Sequence, residues 1–274
     1  MTFAVRRPSP PLDRYIELLW WYEGVPPAHA AERMLPTAAP QLVVNLRDDV
    51  TLVAPGLEPA PFERLRGATL GGACLVPFVI PTAQQRACAG VIFRPGGGFP
   101  FLGGHPAADL LNAHVSLDAL WGPAADRLVE RLVTAPSPQA GLGVLEETLG
   151  QQMRPTLEPH AAVIAALAGL GRGAYRQPIA RLAEAIGISQ QRLGQLFHDQ
   201  VGLTPKQLAR VWRFQAALRL LGADPTEGWA ERALACGFVD QSHLTRDFRA
   251  FTGLAPAAYL ARWGARTNHL PLDG

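Results

Sequence analysis

Residues 183–205 read AEAIGISQQRLGQLFHDQVGLTP, and residues 233–256 read ALACGFVDQSHLTRDFRAFTGLAP. The second stretch repeats the pattern of the first, with one residue inserted after its first glycine. The shared positions lie fifty or fifty-one residues apart: Ala183 and Ala233, Gly187 and Gly237, Phe197 and Phe248, Gly202 and Gly253, Pro205 and Pro256. An ordered repeat of this kind indicates one supersecondary unit that is used twice.

Each copy has the residues that a helix-turn-helix unit requires. Gly187 and Gly237 suit a left-handed turn after a short helix, and Ser189 and Asp240 suit the N-cap of the next helix. That second helix has one apolar side and a polar N-terminal end, which could enter a major groove. Between the copies, Pro205–Leu221 predicts one continuous helix. At roughly 1.5 Å per residue it spans about 25 Å, which could hold two recognition helices about one turn of DNA apart.

The ordered pattern over residues 157–262 resembles the AraC/XylS transcription regulators. The matching residues in the linker helix are Pro205, Leu208, Arg213, Ala217, Leu220 and Leu221. In the second unit they are Ala233, Gly237, Phe238, Asp240, Ser242, His243, Leu244, Arg246, Phe248, Gly253, Pro256 and Tyr259. The resemblance implies seven helices that carry two helix-turn-helix units. Two positions depart from it: Arg232 replaces the usual Ile or Val, and Gly194 replaces a polar or longer residue.

The first two turns of each second helix are predicted to read DNA. Glutamine can pair bidentately with adenine, and arginine can pair with guanine or a phosphate. The predicted base-contacting residues are Gln190, Gln191, Arg192 and Gln195 in the first unit and Gln241, Ser242, Thr245 and Arg246 in the second. The resemblance implies base contacts at the positions of Gln191, Gln195, Thr245 and Arg246. The predicted phosphate contacts are Lys206, Arg210, His243 and Arg249.

Two of these predictions have simpler alternatives. Arg246 could form an ion pair on the helix surface with Asp240 or Asp247. The stripe of Lys206, Arg210 and Arg213 could be a solvated helix face.

The N-terminal part predicts a different fold class. Short apolar runs at Leu42–Leu46, Leu75–Ile80 and Val91–Phe93 are separated by Pro and Gly, which is typical of a small β-barrel or sandwich. From Ser116, the predicted N-cap, the period becomes helical and predicts a helical pair. The expected architecture is therefore α+β. It has a sensor or dimerisation domain over residues 1–156 and an all-α DNA-binding domain with two helix-turn-helix units over residues 157–274.

Two functional hypotheses concern the N-terminal domain. Trp20 and Tyr22 would share one face of a strand, and together with Phe93 they could bind an apolar or aromatic effector. Core packing is the alternative for these rings. The helical pair at residues 116–153 could form a homodimer interface, and its apolar positions could equally be ordinary core. A ligand-independent regulator whose N-terminal domain dimerises or binds a protein is therefore the competing function.

Composition and motifs argue against other classes of protein. Residues 157–274 hold 13 basic and 9 acidic residues, whereas the whole chain has a net charge of +2, so the basic excess lies where DNA would bind. Three cysteines, seven scattered histidines and the absence of Walker-type and HExxH motifs predict no catalytic residues, no metal site and no cofactor. The chain has no apolar run long enough for a secretory signal or a membrane span, so we expect a cytoplasmic protein. Its expected partners are an operator in double-stranded DNA and, for an activator, RNA polymerase.

Overall fold

A computed structural model describes residues 1–57, 60–173, 177–221, 228–262 and 266–272. Its N-terminal part contains two antiparallel sheets that do not close into a barrel. The first sheet consists of β1 (Thr2–Arg6), β2 (Ile16–Glu23), β4 (Gln41–Asn45), β7 (Ala68–Gly71), β9 (Ala87–Phe93) and β10 (His114–Ser116), in the order β1-β2-β9-β4-β7-β10. The predicted apolar runs Leu42–Leu46 and Val91–Phe93 lie largely within β4 and β9.

The second sheet combines strands from both ends of the chain. It consists of β3 (Ala31–Met34), β5 (Val50–Pro55), β6 (Glu63–Arg66), β8 (Phe78–Pro81) and β11 (His269–Leu272), in the order β11-β3-β8-β5-β6. The run predicted at Leu75–Ile80 contributes a strand only from Phe78 onward. The edge strand β11 follows the C-terminal helices and pairs with β3, from His269 opposite Met34 to Leu272 opposite Ala31.

Three helices cover the outer face of the first sheet: α1 (Asp118–Trp121), α2 (Pro123–Val133) and α3 (Pro138–Gln152). Trp21 of β2 is buried against α3, where an added Cβ at Gly141 would lie 2.2 Å from the indole ring. Leucines from α2 and α3 fill the core between these layers: Leu128, Leu132, Leu142, Leu145 and Leu149. The apolar positions that suggested a dimer interface at residues 116–153 are therefore occupied in this core.

The start of this helical segment differs from the prediction. Ser116 is the last residue of β10 and its hydroxyl accepts the Arg66 N–H at 3.0 Å, so it does not cap a helix. Gly122, with φ +55°, then separates α1 from α2. The positive φ at Gly122 breaks the helix, although the helical spacing of apolar residues continues across this position.

The C-terminal part is helical, as expected: α4 (Ala161–Gly171), α5 (Ile179–Ile186), α6 (Gln190–Val201), α7 (Pro205–Leu221), α8 (Trp229–Ala235), α9 (Gln241–Thr252) and α10 (Pro256–Arg262). The linker helix α7 has the bounds that the sequence predicts. In its core, Phe214 lies 5.2 Å from Phe248 and 4.8 Å from Phe251 between ring centroids. None of the described helices is long and apolar enough to cross a membrane.

The C-terminal tail packs across the predicted division at residues 156/157. Residues 269–272 form a strand of the N-terminal sheet, and the C-terminal core extends onto Leu35, Ala38 and Ala73. A strand of four residues is paired through backbone hydrogen bonds, so its partner need not be close in sequence. The two halves of the chain are thus joined by shared structure as well as by the connection between them.

Candidate nucleic-acid interface and ligand cavity

The first helix-turn-helix unit is formed by α5 and α6. Helix α5 ends at Gly187, whose φ of +82° turns the chain toward α6. The Ser189 hydroxyl then accepts the Arg192 N–H at 3.1 Å and so caps the N-terminus of α6. The inner side of α6 is buried through Leu193, Leu196, Phe197 and Val201. The predicted reading residues Gln190, Gln191, Arg192 and Gln195 are all exposed.

The second unit, α8 and α9, repeats this geometry. Gly237 has a φ of +83°, and the Asp240 carboxylate accepts the His243 N–H at 2.7 Å at the start of α9. Leu244, Phe248 and Phe251 are buried on the inner side. Among the predicted reading residues, Thr245 is half-buried, and the other three are exposed: Gln241, Ser242 and Arg246.

A cavity of about 620 Å³ lies between the two sheets. Trp20 and Tyr22 of β2 line it from one face of the strand, while Trp21 points into the core on the other. Leu18, Val43 and Ile92 extend the apolar lining across the first sheet. The strand period of two therefore places the aromatic pair as the sequence predicts.

Polar groups also line the cavity. The His114 ring packs edge-on against Phe78, with 4.4 Å between centroids, and burial lowers the pKa of His114 to about 4. The imidazole is therefore neutral at pH 7 and can donate one hydrogen bond and accept another. Thr51, Thr69 and Gln41 also line the cavity.

Comparison with known proteins locates the DNA-binding part. Residues 182–262 match the family model of a helix-turn-helix domain, and residues 5–116 match that of a domain of unknown function, DUF6597. Over 81 residues the chain is 31% identical to the probable transcriptional regulator LumQ of Photobacterium leiognathi, a match that covers 30% of this chain and 32% of LumQ. The aligned segment thus spans about a third of that relative.

The chain carries a helix-turn-helix domain of the AraC type over residues 182–262. It also aligns with solved structures of ToxT from Vibrio cholerae. One is 10% identical with a TM-score of 0.46 and covers 95% of this chain and 98% of ToxT. Another, of ToxT bound to (E)-4-(8-methylnaphthalen-1-yl)but-3-enoic acid, is 9% identical with a TM-score of 0.48 and covers 95% and 99%.

Two of the four predicted phosphate contacts have other partners in this AraC-type domain. Arg210 donates from Nε to Asp247 at 2.8 Å, and its guanidinium lies 4.5 Å from the Phe251 ring centroid. The His243 ring packs edge-on against Phe238 at 5.2 Å. Both side chains thus connect elements within the domain. The other two residues, Lys206 and Arg249, are exposed.

Asp247 has a structural role in the domain that the sequence did not indicate, since it pairs with the linker helix. It is buried, and besides Arg210 it lies 3.9 Å from His243 Nε2. A charged residue between the apolar positions Leu244 and Phe248 was the available signal, because an acidic side chain on the inner face of a helix requires a buried partner. With Asp247 bound to Arg210 and Asp240 used as a cap, both acidic alternatives for Arg246 have other partners.

The two departures from the family pattern are accommodated differently. Arg232 is buried, with its guanidinium 5.3 Å from the Trp229 ring centroid, so a cation–π contact replaces the aliphatic packing expected there. Gly194 lies in the middle of α6, where an added Cβ would meet nothing within 4 Å. This position has room for a side chain that the sequence does not supply.

Phe93, predicted to bind the effector, does not line the cavity. It is buried in the core on the opposite face of β9, where its ring lies 5.3 Å from Phe101. Its neighbour Ile92 faces the cavity, and adjacent residues of a strand point to opposite faces. The sequence also gave no indication of a further part of the cavity wall, Arg266–His269, which comes from the C-terminal tail.

Proposed function

We propose that this regulator binds an operator through α6 and α9 and that a small apolar or aromatic molecule in the cavity between the sheets controls it. The observation that carries the DNA-binding proposal is that both helices start at a side-chain cap and expose polar residues over their first two turns. Such an end fits a major groove, where glutamine and arginine can read base edges.

In this proposal, the residues that read bases are Gln190, Gln191, Arg192 and Gln195 of α6 and Gln241, Ser242, Thr245 and Arg246 of α9. Lys206 and Arg249 contact phosphates. Arg210 and His243 support the interface from within the domain. Helix α7, of 17 residues, spans about 25 Å and separates the two reading helices by about one turn of DNA.

Selection of bound duplexes from a random DNA library tests this proposal. We expect two half-sites whose centres are about 10 base pairs apart. Gln195→Ala should relax base preference in one half-site and Arg246→Ala in the other. His198→Gln is the matched control, because His198 is exposed near the C-terminal end of α6, away from the predicted reading end. A single short recognition sequence that both variants relax equally would contradict the model of two reading helices.

The volume and lining of the cavity support an effector. About 620 Å³ lies within the range of small-molecule sites, and aromatic and aliphatic walls with a few polar groups are typical of such sites. The neutral His114 and hydroxyls of the lining could orient a single polar group of an otherwise apolar ligand. Tyr22 and Trp20 would supply the aromatic contacts.

A thermal-shift screen of small aromatic compounds with the full chain tests the effector. We expect compounds that raise the Tm of the wild type, with a smaller shift for Trp20→Ala. Val76→Ala is the matched control, since Val76 is exposed and is not a lining residue. If no compound shifts the Tm, the alternative is favoured: a ligand-independent regulator whose N-terminal domain dimerises or binds a protein. A homodimer, and RNA polymerase as a partner of an activator, remain proposals.

A further inference from the structure

We propose that the C-terminal segment Arg266–Leu272, here called the strap, completes the effector cavity and couples it to the second helix-turn-helix unit. This inference rests on the proposed effector function and specifies how that site would be regulated. The strap comprises the last described residues of the chain, after α10, and its strand β11 pairs with β3 at the edge of the second sheet.

One side of the strap forms cavity wall. Arg266, Thr267, Asn268 and His269 all line the cavity, and the Arg266 guanidinium lies 5.5 Å from the Tyr22 ring centroid. Leu270, in contrast, is 1% exposed and belongs to the core of the DNA-binding helices. A molecule that fills the cavity would therefore contact the strap directly.

A buried carboxylate holds the strap in place. Glu32 of β3 is 3% exposed, and its oxygens lie 2.6 Å from His269 Nδ1 and 3.0 Å from His29 Nε2. Gln85 donates to Glu32 at 2.7 Å and accepts from Arg266 Nη1 at 2.7 Å. Because an ionised carboxylate only accepts hydrogen bonds, His269 Nδ1 carries the proton in its contact.

The charge of Glu32 depends on these partners. Burial raises the pKa of Glu32, but hydrogen bonds from His269, Gln85 and His29 outweigh burial and lower it to about 2. Arg266 adds a positive charge 3.9 Å from the carboxylate. If the strap left the sheet, Glu32 would lose His269 and Arg266, and removing the partners of a buried charge is strongly unfavourable. The paired position of the strap is therefore a well-defined state.

The other side of the strap contacts the DNA-binding helices. The Tyr259 hydroxyl of α10 donates to the Thr267 carbonyl at 2.9 Å, and the Tyr259 ring lies 5.7 Å from Phe248 of α9. Asn268 accepts from Gln215 of α7 at 3.0 Å. The strap thus connects the cavity with both the linker helix and the second recognition helix.

These contacts predict reciprocal coupling between the cavity and DNA. A ligand that favours one position of the strap changes the balance between arrangements of the second unit, and operator binding must change the affinity of the ligand by the same factor. The strap is the two-state element on which both sites act.

The test uses the full chain, an operator selected in vitro and the uncharged fluorophore N-phenyl-1-naphthylamine as cavity ligand. For the wild type we expect the Kd of the fluorophore to change at least 5-fold when saturating operator is added. The lock variant is Ala31→Cys with Leu272→Cys, which are opposite residues of β3 and β11. Opposite residues in antiparallel strands lie about 4.5–5.5 Å apart at Cα, within disulfide range. The native Cys74 and Cys236 are buried.

With the lock oxidised, operator should change the Kd of the fluorophore less than 2-fold, and reduction of the same protein should restore the effect. If wild type binds both ligands without coupling, or if the oxidised lock remains fully coupled, the strap inference is wrong and the effector proposal stands. If the fluorophore does not bind the wild type, the effector proposal fails and the strap inference with it.

A second variant tests the strap without a cross-link. Glu32→Gln removes the buried charge, so we expect amide exchange over residues 266–272 at least 10-fold faster than in wild type, together with weakened coupling. Glu63→Gln, on the exposed side of β6, is the matched control and should exchange at the wild-type rate. Faster exchange of the strap with unchanged coupling would overturn the inference.

Discussion

The two helix-turn-helix units share a backbone plan but differ in what holds α6 and α9, the proposed reading helices. Both reading helices have 12 residues, start at a capped residue and end at a left-handed glycine, Gly202 or Gly253. The inner side of α6 is apolar, whereas α9 buries Asp247 and bonds it to Arg210 of the linker helix. Apolar packing is non-directional, but an ion pair between hydrogen-bonding groups has a fixed geometry. The orientation of α9 relative to the linker helix α7 is therefore fixed more tightly than that of α6.

The N-terminal domain contacts both reading helices at their C-terminal ends. Gly202, after α6, packs so closely that an added Cβ would lie 2.8 Å from the Ala107 carbonyl oxygen. At the end of α9, Arg33 of β3 donates to the Thr252 carbonyl at 3.0 Å. The opposite, reading ends of both helices are left exposed. The C-terminal end of α9 is also packed, since an added Cβ at Gly253 would lie 3.3 Å from Leu57.

The largest effect should come from breaking the ion pair of the second unit. Arg210→Ala would leave Asp247 buried without its main partner and should lower the free energy of unfolding by about 2–3 kcal/mol, less than a fully enclosed pair because Arg210 is 38% exposed. Chemical denaturation measures this change. Lys206→Ala, at an exposed position of the same helix, should stay within about 0.5 kcal/mol of wild type.

A second variant separates the stability role from phosphate binding. In Arg210→Met with Asp247→Leu, both charges are gone, and stability should return close to that of wild type. If Arg210→Ala instead leaves stability unchanged but weakens binding to all DNA sequences, Arg210 contacts phosphate. The ion pair would then not distinguish the second unit from the first.

Loss of a base-reading side chain should have a smaller effect than loss of the ion pair, and the effect should be similar in the two units. Gln195→Ala and Arg246→Ala should each weaken operator binding by roughly 1–3 kcal/mol and affect random DNA little. Lys206→Ala should weaken both about equally and reduce the salt slope by about 1. Fluorescence anisotropy at several salt concentrations measures these effects. If Arg246→Ala were silent and Gln195→Ala abolished operator binding, the model would reduce to one reading helix and one backbone anchor.

The N-caps should show a smaller difference in the same direction. Asp240→Ala and Ser189→Ala should each cost about 1 kcal/mol of stability, because each removes a bond to a helix N–H. The Asp240 effect should be the larger, since a carboxylate also interacts favourably with the positive end of the helix dipole. Thermal unfolding of the two single variants tests this order. Equal losses would mean that the charge adds nothing at this exposed helix end.

Local signals in the sequence were sufficient to predict the helix-turn-helix units. Gly187, Ser189 and their counterparts act within a few residues of their own position, so spacing alone places the turn and the start of the helix. For the same reason, the strand period was sufficient to predict that Trp20 and Tyr22 lie on the same face of β2. These features depend on backbone geometry and not on which distant element packs against them.

Long-range pairing could not be read in the same way. Strand β11 has four residues, HLPL, and its partner β3 lies more than two hundred positions earlier, so no local pattern marks it as part of the N-terminal sheet. Phe93 is aromatic, but strand alternation puts its neighbour Ile92 on the cavity side and Phe93 in the core. The bond from Arg210 to Asp247 could not be predicted, because Asp247 lies on another helix.

The smallest expected effect concerns the glycine that distinguishes the two reading helices. Gly194 of α6 takes the place that Thr245 takes in α9, and an added Cβ would meet nothing within 4 Å. Glycine in a helix interior costs up to about 1 kcal/mol relative to alanine, so Gly194→Ala should stabilise the protein by about 0.5–1 kcal/mol. Gly202→Ala is the opposite control, since its φ of +80° and its contact with Ala107 both oppose a side chain. A fall in Tm for Gly194→Ala would mean that α6 requires glycine there, and the two units would then differ in backbone as well as in how they are anchored.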